Sequence, residues 1–368
     1  MQLKYSKSGH HPDYFLLALV FMLAVAGLVI LTSASSDLGK LKWNDSYYYL
    51  KHQLLYGLSF GLVGFFVTFK LNYQLYRKIA FIFLLLNLGA LTLVFTSLGL
   101  HAGGAARWLQ LGPISFQPSE LLKLTFVLYL AAWLANTKMN RTNLAEGVLP
   151  FLLISGIISG LLVLQPATST VGVLLLAAAI MYFVSGAKIT HLLGIGAAGL
   201  IALTLLIWFT PYRRERILAY LNPSKDSEGA SFQVTQAKIS IGSGKLFGLG
   251  YGKSTNKATS LPAPLDDSIF AIAAQELGFV GAGSLIVIFW LFVVRIFLLA
   301  RKVRDRFGQI VLVGFGSIVA LQSLVNMGAI SGLLPLTGVP LPFISYGGTA
   351  LAVFLTMSGV AVNISKYS

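Results

Sequence analysis

The stretch PLDDSIFAIAAQELGFVGAGSLIVIFWLFVVRIFLL, residues 264–299, decides the fold. Beyond the acid pair Asp266-Asp267, its only charged side chains are Glu276 and Arg295. An apolar run of roughly 20 residues crosses a bilayer as a helix. This run is longer, so its first turns are expected in a cavity or at the membrane interface. A carboxylate where loop chain enters such a helix is costly to keep without a function, and Asp267 occupies that position.

Similar runs recur along the chain. Of its 368 residues, 56% are hydrophobic and 11% charged, with mean hydropathy +0.79. A soluble domain carries about 25% charged residues. About ten spans are expected, at 14–34, 52–69, 79–99, 119–136, 147–165, 170–186, 189–210, 268–299, 309–330 and 344–364. The fold class is therefore an all-α polytopic membrane protein, one integral membrane domain over 1–368. A large extracytoplasmic loop, 211–267, separates helices 7 and 8. The N-terminal segment runs into a full span without a small-residue cleavage site, so no cleavable signal is expected. No internal repeat supports an inverted-repeat transporter. Cysteine is absent, which excludes disulfides, thiolate metal sites and a cysteine nucleophile.

Net charge is +15. Aromatic residues scatter through apolar spans rather than interleave with basic ones, so a nucleic-acid partner is not expected. The charge instead orients the helices. Short connections carrying Lys70/Arg77/Lys78, Lys138/Arg141, Lys188 and Arg301/Lys302/Arg304/Arg306 belong in the cytoplasm, with both termini. The external connection 211–267 breaks this pattern with Arg213, Arg214, Arg216, Lys225, Lys238, Lys245, Lys253 and Lys257. A basic surface beside a membrane suits an anionic headgroup or a diphosphate. Glycines at 242, 244, 248, 250 and 252 interleave with those lysines, as in loops whose amides approach phosphate. Gly252-Lys253-Ser254 resembles the end of a P-loop, but the spacing and the missing strand–helix context exclude one.

Acids are scarce, 12 in all. Glu120 falls in the first turn of a helix opened by Pro118, where the helix dipole favours a negative charge. Lys123 shares its face, giving either a self-contained ion pair or a charged cavity wall that positions a headgroup. Glu276 follows Asp267 by about two and a half helical turns and points away from it. Gln275 lies nearer that face. Glu276 is expected to hydrogen-bond in helix packing and to carry no chemistry.

Two further motifs stand out. Arg107-Trp108 before Gly112-Pro113 makes an external turn with a cation and an aromatic anchor. The stretch from Leu334 to Gly348 contains Pro335, Pro340 and Pro342 with Gly338, Gly347 and Gly348, and is too apolar for an exposed loop. It fits a re-entrant segment lining a cavity, ending in Ser345-Tyr346-Gly347-Gly348.

On these residues the chain resembles the shape, elongation, division and sporulation (SEDS) family of peptidoglycan glycosyltransferases. The resemblance spans nearly the whole chain. It runs through Arg107-Trp108, Gln117-Pro118-Ser119-Glu120, Lys123, Arg216, Asn222-Pro223, Gln233 and Gln236. It continues through Ile241-Gly242-Ser243-Gly244, Asp267, Ile269-Phe270-Ala271 and Glu276-Leu277-Gly278. It ends with Gly338, Pro340-Leu341-Pro342 and Ser345-Tyr346-Gly347-Gly348. The Gly-x-Gly-x-Ser-x-x-Lys stretch at 250–257 is more similar to the FtsW branch than to the RodA branch. The family's His-Thr-Asp-Phe-Ile-Phe reads Leu265-Asp266-Asp267-Ser268-Ile269-Phe270 here. Its Pro-Asp-x-Gly-Thr reads Pro166-Ala167-Thr168-Ser169-Thr170, and its Glu-Glu reads Gln275-Glu276. The family's essential aspartate falls on Asp267, and the acids at Ala167 and Gln275 are missing.

The resemblance implies polymerisation of lipid II into β-1,4 glycan strands at the outer face of the bacterial cytoplasmic membrane, in division or elongation. Asp267 would be the catalytic base. Arg107, Glu120, Lys123, Arg213, Arg214, Gln233, Lys245, Ser254, Lys257, Ser345 and Tyr346 would bind substrate. No resident cofactor is implied. A divalent cation, Mg²⁺ or Mn²⁺, would enter with the diphosphate, because Asp266 and Asp267 alone are too few ligands. The implied partners are lipid II, undecaprenyl diphosphate, a class B penicillin-binding protein and other membrane proteins of the division or elongation machinery. A lipid II flippase and a non-catalytic scaffold for the penicillin-binding protein remain alternatives.

Overall fold

The computed structural model describes residues 11–102, 105–112, 114–137, 142–222, 229–254 and 262–368. Apolar helices dominate. Eight are long and apolar enough to span a membrane, among them α1 (Tyr14–Trp43). A five-residue α2 (Tyr48–His52) leads through a π-turn, Gln53–Leu58, into α3 (Ser59–Lys70), and these count as one span. The others are α4 (Gln74–Leu93), α6 (Leu149–Leu164) with its preceding π-turn, α8 (Ile189–Trp208), α11 (Ile269–Lys302), α12 (Arg306–Ile330) and α13 (Gly348–Ser365). Two 17-residue helices, α5 (Pro118–Leu134) and the apolar α7 (Thr168–Val184), lie where the other two spans were expected, so eight rather than ten helices of the described residues reach full spanning length. At about 26 Å each, these two nearly match a hydrocarbon core.

The boundaries differ from the sequence reading in places. Helix α1 continues nine residues past the expected 34, because its polar turns need no membrane to stay helical, and it closes at Asn44 with φ 51°. The third span stops at Leu93 rather than 99. There the backbone of Leu98 and Gly99 turns into a sheet that the all-α reading lacked. Strands β1 (Gly99–Ala102), β2 (Ala105–Leu111) and β3 (Ile114–Phe116) pair antiparallel in sequence order. This small sheet delivers the chain to Pro118 at the start of α5. The connection 211–267 is also more ordered than a loop, for it holds α9 (Pro211–Leu221) and α10 (Ala230–Ser243).

Helices α5, α12 and α13 are mostly buried in the bundle, whereas α8 buries none of its residues. Between α12 and α13 the chain dips back into the protein. Phe343, at φ 64°, packs its ring against Phe292 of α11 and Phe354 of α13, and its carbonyl abuts Gly27 of α1. Irregular backbone at this depth survives only when protein surrounds it. Residues 341–345 are buried accordingly.

Candidate active site

Helix α11 is two pieces. Gly278 has φ 69° and ψ −169°, which splits a first segment, 269–277, from a long span, 279–302. The break frees backbone groups, and the glycine-rich loop satisfies them. Phe279 and Val280 donate to the carbonyls of Lys245 and Leu246, at 2.8 and 3.1 Å. Leu249 and Gly250 donate to those of Gln275 and Glu276, at 3.0 and 3.1 Å. Gly248, at φ 80°, passes so close that a Cβ there would stand 2.0 Å from the Glu276 carbonyl oxygen. The loop is therefore a strap over the kink, with the amides of Gly248, Leu249, Gly250, Lys253 and Ser254 bonded to protein. Ser254 turns inward as well. Its Oγ donates to Gln275 Oε1, and its amide to Glu276. Glu276 also accepts from Ser33 Oγ at 2.6 Å, the packing role its position suggests. Lys245 and Lys253 point outward and are exposed. About 13 Å of helix separates the Lys245 end of the first segment from the Asp267 end.

At the Asp267 end the arrangement reverses. Here the loop's carbonyls are bonded to protein and the Asp267 side chain turns toward an arginine. Asp267 Oδ2 and Arg216 Nη1 converge over Gly338, whose missing Cβ would lie 3.5 Å from one and 3.7 Å from the other. Arg216 also donates to the carbonyl of Leu336 at 3.3 Å. Arg107, on β2, donates to the carbonyls of Gln165 and Pro166 at 3.0 and 2.7 Å. From there its charge acts on Asp267. Asp266 is exposed and Asp267 half-buried, yet protein atoms crowd both, so water reaches the carboxylates without fully surrounding them. That partial desolvation pushes the Asp266 carboxyl up to about 7, with the adjacent Asp267 charge adding to the shift. It raises Asp267 too, against the pull of Arg216 and then Arg107 toward the ionised form.

The other residues singled out in the sequence fall into three groups. Gln233, Ser345 and Tyr346 brace the acid loop. Gln233 Nε2 donates to Ser268 Oγ at 3.1 Å, and Ser345 Oγ to the Asp266 carbonyl at 2.6 Å. The Tyr346 amide donates to the Leu265 carbonyl at 2.9 Å. The Tyr346 hydroxyl meets His52 Nδ1 at 2.9 Å, and burial raises its phenol above the ordinary range. Glu120 and Lys123 form a buried ion pair, 2.7 Å apart, with the ammonium over the Phe354 ring. They satisfy each other, as the helix spacing predicts. Arg213 donates to Thr168 Oγ1 at 2.9 Å, and Arg214 is exposed on α9. Lys257 lies outside the described residues.

Sequence reading placed Arg216 in the family motif but named Arg213 and Arg214, not Arg216, as substrate-binding candidates, whereas the structure sets Arg216 beside Asp267. It also missed His52, Gln53 and Asn326, which contact the re-entrant segment. Gln53 and Asn326 left a signal, as amides within expected apolar spans.

On the other side of Tyr346 lies an apolar groove of about 550 Å³. The sheet (Trp108, Ile114), α3 (Phe60), α5 (Leu121, Leu124) and α13 (Val353) line it. His52 and Tyr346 stand between groove and acid loop. Among the described residues, no group of three or more His, Asp or Glu side chains is placed to hold a metal ion.

The fold and site thus define a multi-pass membrane protein with an acid pair near two arginines and a separate apolar groove, the two linked through Tyr346. A family model described as "Cell cycle protein", covering FtsW, RodA and SpoVE, matches residues 14–368. Stage V sporulation protein E of Bacillus subtilis (strain 168) is 36% identical over 360 residues, covering 97% of this chain and 98% of its own. A probable peptidoglycan glycosyltransferase FtsW of Trichlorobacter lovleyi is 36% identical over 355 residues, covering 96% and 93%. Among solved structures, a chain from a peptidoglycan synthase complex that coordinates polymerization and crosslinking superimposes with TM-score 0.79. Its identity is 29%, with 96% of this chain and 97% of that one covered. The rod shape determining protein RodA of Thermus thermophilus gives 0.72 at 29% identity, covering 96% of each. The chain belongs to the FtsW/RodA/SpoVE family.

Proposed function

We propose that this chain is a peptidoglycan glycosyltransferase that polymerises lipid II at the outer face of the bacterial cytoplasmic membrane. The observation that carries the reading is the convergence of Asp267 and Arg216 over Gly338, beside a groove apolar enough for an isoprenoid chain. A hydroxyl is a poor nucleophile, and a positioned carboxylate accelerates its attack. The acceptor 4-hydroxyl oxygen bonds to the donor's anomeric carbon, and its proton passes to the Asp267 carboxylate. The bond from that carbon to the diphosphate oxygen breaks, and its electron pair departs with undecaprenyl diphosphate. Attack from the opposite side inverts the centre to a β link. Arg216 and Arg107 offset the charge developing on the leaving group.

Two adjacent carboxylates, Asp266 and Asp267, fit Mg²⁺ or Mn²⁺ only with phosphate oxygens completing the shell. When bound, such an ion would neutralise diphosphate charge beside the arginines. The termini lie in the cytoplasm in this reading, which places α9, α10 and the acid pair outside. A class B penicillin-binding protein is the expected partner, since polymerised glycan must then be crosslinked.

The test is labelled lipid II incubated with the purified chain, with and without partner and Mg²⁺. Glycan product supports the reading. Translocation of lipid II across vesicles without polymer would replace it with a flippase.

A further inference from the structure

Three consecutive carbonyls of the acid loop each accept one hydrogen bond from a different donor. Leu265 accepts from the Tyr346 amide at 2.9 Å, Asp266 from Ser345 Oγ at 2.6 Å and Asp267 from Asn326 Nδ2 at 3.1 Å. The same Asn326 amide donates to the Val339 carbonyl at 2.8 Å. Asn326 is 2% exposed. Both groups facing it are carbonyl oxygens, so only its NH₂ can meet them, and its Oδ1 has no protein partner. One buried side chain on α12 thus joins the acid loop to the re-entrant segment. Ser345 is fixed in turn, since its Oγ also accepts from the Leu341 amide at 2.8 Å. The far side of the segment is tied down by Gln53 Oε1, which accepts from the Gly347 amide at 3.0 Å.

We infer that Asn326, with Ser345, is a positioning residue that fixes the Asp267 carboxylate against its substrate. The inference rests on the polymerase reading above. A bonded carbonyl on each side of the Asp267 amide sets the loop's dihedrals and so the direction of the side chain. An apolar segment needs no buried amide for its own packing. Keeping the amide buries an Oδ1 without a protein partner, and removing it would leave two buried carbonyls unpaired. A misplacement of about 1 Å lowers turnover on the order of 100-fold without changing how tightly substrate binds.

The experiment is initial-rate polymerisation of labelled lipid II by the full chain, with and without its penicillin-binding protein, normalised to folded protein. Asn326→Asp keeps the shape but sets oxygen against both carbonyls. Asn326→Leu removes the donor. Both are expected to lower kcat by about 10- to 100-fold, with KM within about threefold of the original. Ser345→Ala is expected to lower kcat by about tenfold, and Ser345→Thr, which keeps the hydroxyl, to restore it. If the Asn326 variants do not fold, the Ser345 pair decides the matter. Unchanged kcat per folded molecule, or a KM effect alone, overturns the positioning role and leaves the polymerase reading standing. An original chain that makes no polymer under any of these conditions overturns both.

Discussion

The two ends of the first segment of α11 carry the same kinds of residue and use them in opposite ways. At the Gly278 end, glycines, lysines and a serine lie beside Glu276. At the Asp267 end, arginines, a glycine and a serine lie beside two aspartates. At the first, loop amides bond to the broken helix, and Ser254 and Ser33 bond to Gln275 and Glu276. At the second, the acid loop's carbonyls are bonded and the Asp267 carboxylate is left to the charges of Arg216 and Arg107. A glycine-rich basic loop therefore marks a ligand site only where its donors are left over after the fold has been satisfied. The structural end should answer to substitution in stability, and the chemical end in rate.

The largest contrast is expected from the same substitution at both ends. Gly248→Ala forces a Cβ to within 2.0 Å of a carbonyl oxygen at φ 80°. It should lower stability by about 3 kcal/mol or more, measured by thermal unfolding in detergent. Gly338→Ala places its Cβ between Asp267 and Arg216, at φ 71°. It should cut polymerisation by about 10- to 100-fold while costing less stability. Equal losses of stability with no difference in rate would break the comparison.

Charge gives a second contrast. Arg216→Ala should lower turnover by about 100-fold, because it removes a cation facing both the base and the leaving group. Lys245→Ala, on the strap, should change turnover less than about twofold. Initial rates with lipid II separate the two.

The pH profile sharpens the chemical end alone. Asp267 must be ionised to take a proton, and its carboxyl is raised, so activity should fall on acidification at a pH above the ordinary carboxylate value of 3.8. Asp266 still holds its proton while Asp267 ionises, because the Asp267 charge is what raises it, so Asp266→Asn should leave that acid limb in place. Folding follows the opposite course. The folded chain holds a proton on Asp266 between 3.8 and about 7, where the unfolded chain has lost it. Stability from this group is thus greatest at low pH and declines as pH rises through that window. Urea unfolding across the window, compared with Asp266→Asn, checks the sign.

Much of this was legible in the residues. Span length and hydropathy report bilayer crossing directly, and the prolines of 335–342 announced a re-entrant segment. Pro118, Glu120 and Lys123 formed the helix start and ion pair their spacing predicts. The sheet at 99–116 was not legible, because its strands are short and its partners are set by tertiary context. The strap role of the glycine loop depends on a helix break some 30 residues away. Gly278 signals that break only weakly, since an isolated glycine in a helix usually costs little more than 1 kcal/mol. Arg216 was visible as charge, but its pairing with Asp267 depends on how α9 packs over Gly338.

The most direct test is the initial rate of lipid II polymerisation by Asp267→Asn, beside lipid II binding by the same variant. The account predicts a fall of at least about 100-fold in rate, with folding and binding retained. Polymerisation at the original rate would contradict it.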